Sequence, residues 1–308
     1  MIPRLRPFLY PAILMLTACA VAPVAAPTAA TAALVTKALD TEALYTVAGG
    51  LKPVSEGFWH QSLDANAPDL GAIASTRAAL APWRNDTLWA DVHVFHDDHG
   101  GKRAARAYVV HRRALAELLQ AHTAFFAPFG LGPDTHPAEV FAVVERLPDL
   151  ARHRGLGLLF GYPPHAIEFF LAAEQEQAAG RPAKKRRFVQ IPTHASPQGR
   201  FVYAVADDAP ELPADRSLAA SAAVRLARYR ELRATADTND ASVMLGIAAR
   251  LAAEYAPAAA AAARTAAPGP TGADAAAAAA NRRSTMDRPR AVPVPSGQTG
   301  EARVRAQG

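Results

Sequence analysis

One cysteine in 308 residues, Cys19, is all the thiol the chain has. It lies at the end of an N-terminal leader. The chain beyond it has no disulfide, no cysteine zinc site and no cysteine nucleophile, so its stability must come from ordinary packing. Long hydrophobic runs are missing too. Phe8–Leu16, interrupted by Pro11, is far short of the ~20 residues a spanning helix needs. No Gly-x-Ser-x-Gly elbow, Ser-x-x-Lys pair or His-Glu-x-x-His helix occurs, which disfavours the hydrolases those motifs identify. A charge surplus is missing from the interior of the chain. Of the net +5, residues 255–308 hold +4, through seven arginines against Asp274, Asp287 and Glu301, and Arg4 and Arg6 belong to the leader. The remainder is about −1, which gives no footing for a nucleic-acid partner.

The start has the layout of a secretion signal: Arg4 and Arg6, a short apolar stretch, then Leu16-Thr17-Ala18-Cys19. This resembles the lipobox of bacterial lipoproteins. The resemblance implies cleavage after Ala18, a diacylglycerol on Cys19, and a membrane partner reached through that lipid. Ala20 in place of Asp resembles the outer-membrane class, facing the periplasm among other envelope components. Two or three acyl chains anchor stably, at ~0.8 kcal/mol per buried CH₂. The expected divisions are a signal peptide over 1–18, a lipidated flexible tether over 19–33, a single domain over 34–256, and a disordered Ala/Pro/Arg-rich tail over 257–308.

Within the domain, residues 34–62 carry no clear period. Asp69–Leu80 has helical spacing. Leu88–His96 and Arg103–His111 read as a hairpin around Asp97-Asp98-His99-Gly100-Gly101. Helices are expected over Ala114–Phe126 and from Pro137 to Leu147. Gly155–Phe160, small and apolar throughout, reads as a central strand buried on both faces. A helix over His165–Ala178, strands over Phe188–Pro192 and Arg200–Ala206, a helix over Asp215–Ala234 and a last helix N-capped by Asp240 complete the order. The fold class is α+β: about five strands in a mostly antiparallel sheet with helices packed on it.

Four features carry candidate chemistry. Asp91, His93, His96 and His99 form the densest set of metal-ligating residues. On a strand Asp91 and His93 share a face while His96 points away, so the competing reading is a polar hairpin tip. No cofactor is expected otherwise. Gly155-x-Gly157-x-x-x-Gly161 looks superficially like a dinucleotide loop, but its glycines do not sit between a strand and a helix, so close packing explains them better. The corner Tyr162-Pro163-Pro164, with His165, is the candidate ligand site, set against the simpler role of a rigid turn. The basic run Arg181–Arg187 suits a solvated loop or anionic lipid head groups.

Residues 153–233 are also similar to an uncharacterised family of bacterial proteins of unknown function. The likeness rests on the Gly-rich apolar stretch running into Gly161-Tyr162-Pro163, on Phe201-Val202-Tyr203 and on Arg228-Tyr229-Arg230. It implies no activity. The expected function is therefore a non-enzymatic binding or structural protein of the cell envelope, with a metal-dependent enzyme at the 91–99 hairpin as the alternative.

Overall fold

A computed structural model describes residues 27–198 and 201–265. Ala-rich helix α1 (Ala29–Asp40) opens the fold. Thr28 and Thr31 cap it reciprocally, each side-chain oxygen accepting the other's backbone N–H at 3.3 Å. The tether expected over 19–33 thus gives way to a helix at Ala29, and Ala32, Val35, Ala38 and Leu39 bury its inner face. Short α2 (Leu44–Val47) leads into strand β1 (Val54–Asp64), in the stretch where sequence alone assigns nothing. Helix α3 (Gly71–Ala79) comes next.

Strands β2 (Leu88–Asp98) and β3 (Lys102–His111) make the expected hairpin. Its two-residue turn is Gly100-Gly101, both at positive φ, as the tight hairpin turn that matches strand twist demands. β1 pairs with the other edge of β3, giving the antiparallel order β1-β3-β2. At Gly57 (φ +84°) β1 bulges, and its register with β3 slips between Glu56 and His60.

Helices cover both faces of this sheet. One face (Ala90, Val92, Ala107, Val109) packs into a core with α1, α2 and the two last helices, α9 (Pro213–Arg233) and α10 (Ala241–Thr265). The other face (Val54, Tyr108, Val110) packs with α4 (Arg112–Ala121), α5 (Thr123–Phe126) and α6 (Pro137–Glu145). Asp240 caps α10 as expected, accepting N–H bonds from Ser242 and Val243. α10 continues through Pro257 to Thr265, past the boundary where an unstructured tail was expected; residues 266–308, like Cys19 and the leader, lie outside the described residues.

The central strand expected at Gly155–Phe160 is instead the end of helix α7 (Asp149–Leu159). Its glycines let neighbouring helices approach. A Cβ on Gly155 would lie 2.7 Å from Val144 Cγ1 of α6, and one on Gly157 would lie 3.0 Å from Ile167 of α8 (Pro164–Ala178). The five strands accordingly divide into two sheets. Strands β4 (Arg186–Ile191) and β5 (Phe201–Ala206) form a separate antiparallel ribbon against α8. Among the described residues no helix is long and apolar enough to cross a membrane.

Candidate functional site

The corner 161–165 joins α7 to α8. Gly161 (φ +69°) closes α7 in a Schellman motif: its N–H bonds to Leu158 O and the Tyr162 N–H to Gly157 O, both at 3.0 Å. A Cβ on Gly161 would stand 3.0 Å from Leu51 O and 3.2 Å from Lys52 Cα, so the corner is pressed onto the chain entering β1. Pro163 N-caps α8, and Pro164 occupies its first turn. With Gly155–Leu159 helical, the candidate corner is a helix-to-helix turn and not the end of a strand. It still faces a strand: the half-buried Tyr162 ring stacks on Phe201 of β5 (6.0 Å, 22°) and lies 6.1 Å from Tyr203.

His165 takes up the next position. Its Nε2 lies 3.1 Å from Asp215 Oδ1, at an angle that supports an electrostatic contact without a hydrogen bond. Asp215 is 2% exposed. Its Oδ1 accepts from the Tyr203 hydroxyl at 2.6 Å, and its Oδ2 accepts the Leu212 N–H at 3.0 Å, which caps α9. Burial, then the bond to Asp215, pushes the Tyr203 hydroxyl pKa well up. A buried carboxylate behind an imidazole can orient a general base. Here both carboxylate oxygens are already engaged, and among the described residues no serine or threonine hydroxyl bonds to His165. The group fastens the corner to α9.

Behind Tyr162 sits a residue that sequence reasoning missed. Lys52 is 1% exposed, is paired with Glu42, and places Nζ 4.4 Å from the Phe201 ring centroid. Burial pulls its pKa down and Glu42 opposes that pull. Burial likewise raises the Glu56 carboxyl, against its Arg106 partner at 2.6 Å. Burial leads in raising the Tyr162 hydroxyl, with Glu42 and Glu56 adding to it. Lys52 lies in an aperiodic stretch, and no spacing distinguishes it from a surface lysine.

The opposite side of Tyr162 borders a cleft of about 280 Å³ between α7, α8 and the β4–β5 ribbon. Leu156, Phe160, Ile167 and Phe170 line the helical wall; Phe188, Val202 and Ala204 line the ribbon wall. Strand alternation puts Phe188 directly across from Ala204, on the ribbon face turned away from the buried Phe201 and Tyr203. Phe188 stays 55% exposed. His153 and Arg186 also line the cleft, and no carboxylate does. Of the expected corner, Tyr162 reaches this cleft; Pro163 and His165 do not line it.

The hairpin candidates do not converge. Asp91 Oδ1 is held by Arg77 (2.8 Å) and Arg84 (3.1 Å). His93 Nε2 faces Glu145 Oε2 of α6 at 3.8 Å, with neither atom hydrogen-bonded, and burial pulls the His93 pKa down while Glu145 opposes. His96 contributes its backbone N–H to Glu145 Oε1 (2.9 Å), and His96 and His99 are exposed. Among the described residues no group of three or more His, Cys, Asp or Glu is gathered as for a metal ion. Compared with known proteins, the chain matches no family model, no curated protein and no solved structure.

Proposed function

We propose that this chain is a lipid-anchored binding protein of a bacterial cell envelope. Cys19 carries the lipid, the anchor sits in the outer membrane, and the domain faces the periplasm, where its cleft takes a small apolar ligand. The observation that carries the binding role is the cleft itself: two helices and a ribbon enclose about 280 Å³, close to the ~300 Å³ at which small-molecule sites begin, with apolar walls and few polar groups. The polar residues of the neighbouring corner already have internal partners, which favours binding over catalysis. The metal-enzyme alternative has less support, because two arginines neutralise Asp91.

Two experiments test the two halves. Radiolabelled palmitate should enter the wild-type chain and not Cys19→Ser, which should leave the membrane fraction; an unlabelled wild type would sink the anchor. A neutral fluorescent naphthylamine reporter should brighten with the folded domain and not with Val202→Trp, which fills the cleft from a half-exposed strand position. Equal brightening with both proteins would remove the cleft from consideration. Stoichiometric zinc or iron that is lost on His93→Ala or Glu145→Gln would revive the enzyme alternative.

A further inference from the structure

We infer that the cleft's ligand is an anionic amphiphile with a single short alkyl chain, an inference that rests on the binding role proposed above. Volume sets the body: a cleft of about 280 Å³, at the low end of small-molecule sites, suits one short chain. The walls set its chemistry: Leu156, Ile167 and Phe170 face Phe188 and Val202, so most of the body meets apolar side chains.

Two residues set the head. Arg186, at the start of β4, lines the cleft and is exposed. Its guanidinium lies 5.8 Å from the Phe188 ring, and among the described residues it makes no ion pair. His153, also lining the cleft, has a buried ring nitrogen, Nδ1, with no hydrogen-bond partner. Exposed Lys184 and Lys185 precede Arg186 in the chain and add positive potential near the mouth. With no carboxylate on the lining, a cationic head would meet repulsion and a neutral one would gain nothing from the guanidinium. A carboxylate or phosphate head on Arg186 with the alkyl chain between the helices and the ribbon satisfies both walls and rim.

Calorimetric titration of the whole domain with decanoate, decyl phosphate, decanol and decyltrimethylammonium tests this. Either anion is expected to bind about tenfold more tightly than decanol. Arg186→Gln should weaken the anion about fivefold, the range of one solvent-exposed ion pair, while leaving decanol unchanged. Raising the salt concentration should shrink the anion's advantage. Decanoate and decyl phosphate arms show which head is preferred. If decanol or the cation binds as well as the anions, and Val202→Trp abolishes that binding, the anionic head is wrong and the cleft remains a binding site. If no probe binds, both the inference and the cleft's binding role fall.

Discussion

Gly155 of α7 lies so close to Val144 of α6 that a Cβ on the glycine would stand 2.7 Å from Val144 Cγ1. Gly155→Ala is expected to destabilise the domain by ~1–3 kcal/mol through overpacking, despite alanine's better helix propensity. Gly246, in the second turn of α10, is exposed with nothing within 4 Å of its would-be Cβ. Gly246→Ala should stabilise by ~0.5–1 kcal/mol. Urea midpoints of the two variants, moving in opposite directions, check the packing.

Two buried hydroxyl-to-carboxylate bonds should differ in weight. Tyr229 donates to Asp40 Oδ1 at 2.6 Å, and that carboxylate is 20% exposed. Tyr203 donates to Asp215 at the same distance, but Asp215 is nearly sealed. Tyr229→Phe leaves an acceptor that water can reach and should cost ~1 kcal/mol; Tyr203→Phe strands a buried oxygen and should cost ~2–3 kcal/mol. Equal losses in chemical denaturation would contradict this account of the corner.

Lys52→Ala should be among the most damaging single changes, at ~3–5 kcal/mol, because it empties a packed site and removes the partner of Glu42. Lys52→Met with Glu42→Gln keeps the volume and discards both charges, and should fall within ~1.5 kcal/mol of wild type. If the double variant is as unstable as Lys52→Ala, the pair itself is needed for the fold.

Acid should weaken the domain from about neutral pH downward. His111 is buried, and its Nδ1 caps α4 by accepting the Ala114 N–H at 3.2 Å, a role only the neutral ring can fill. Burial lowers its pKa and that of His93 below the ordinary 6.5. As pH falls through about 6.5 the unfolded chain takes up protons that the folded chain does not, so stability drops; above that pH both histidines are neutral in both states and contribute no slope. His111→Asn, a good N-cap without a titrating ring, should reduce the slope of stability against pH between 7 and 5 by up to one proton's worth, ~1.4 kcal/mol per pH unit. An unchanged slope would show that His111 does not titrate with folding.

The β2–β3 hairpin, α8, the β4–β5 ribbon, α9 and the Asp240 cap are all readable in the sequence, because each has a strong period or a turn that demands glycine or proline. α1 is not: it follows directly on Ala/Pro/Thr-rich linker composition, only Val35 and Leu39 in its buried stripe are large apolar residues, and Thr28 is an inconspicuous cap. β1 is not either, since the bulge at Gly57 interrupts its alternation. α7 reads as a strand for a physical reason. A short apolar run is equally compatible with a buried strand and a helix end, and its glycines answer to Val144 and Ile167, which sequence cannot place nearby. The site divides in the same way. Tyr162 stands at a real junction, as its turn chemistry suggests, whereas Lys52, Asp215 and the cleft's ribbon wall come together only through folding.

One wall of the cleft is a ribbon of two strands. Among the described residues β4 and β5 pair only with each other, so each strand has one edge without a strand partner. β3, by contrast, is flanked on both sides. Amide protons of Arg187 and Val189, which alternate with Phe188 and face β5, should therefore exchange with deuterium through local openings far cheaper than global unfolding, while those of Ala107 and Val109 wait for the whole domain to open. Under the binding role proposed above, a ligand in the cleft would add contacts to this wall. Occupancy should then slow exchange in β4 and β5 first, which makes the ribbon the reporter for the proposed binding.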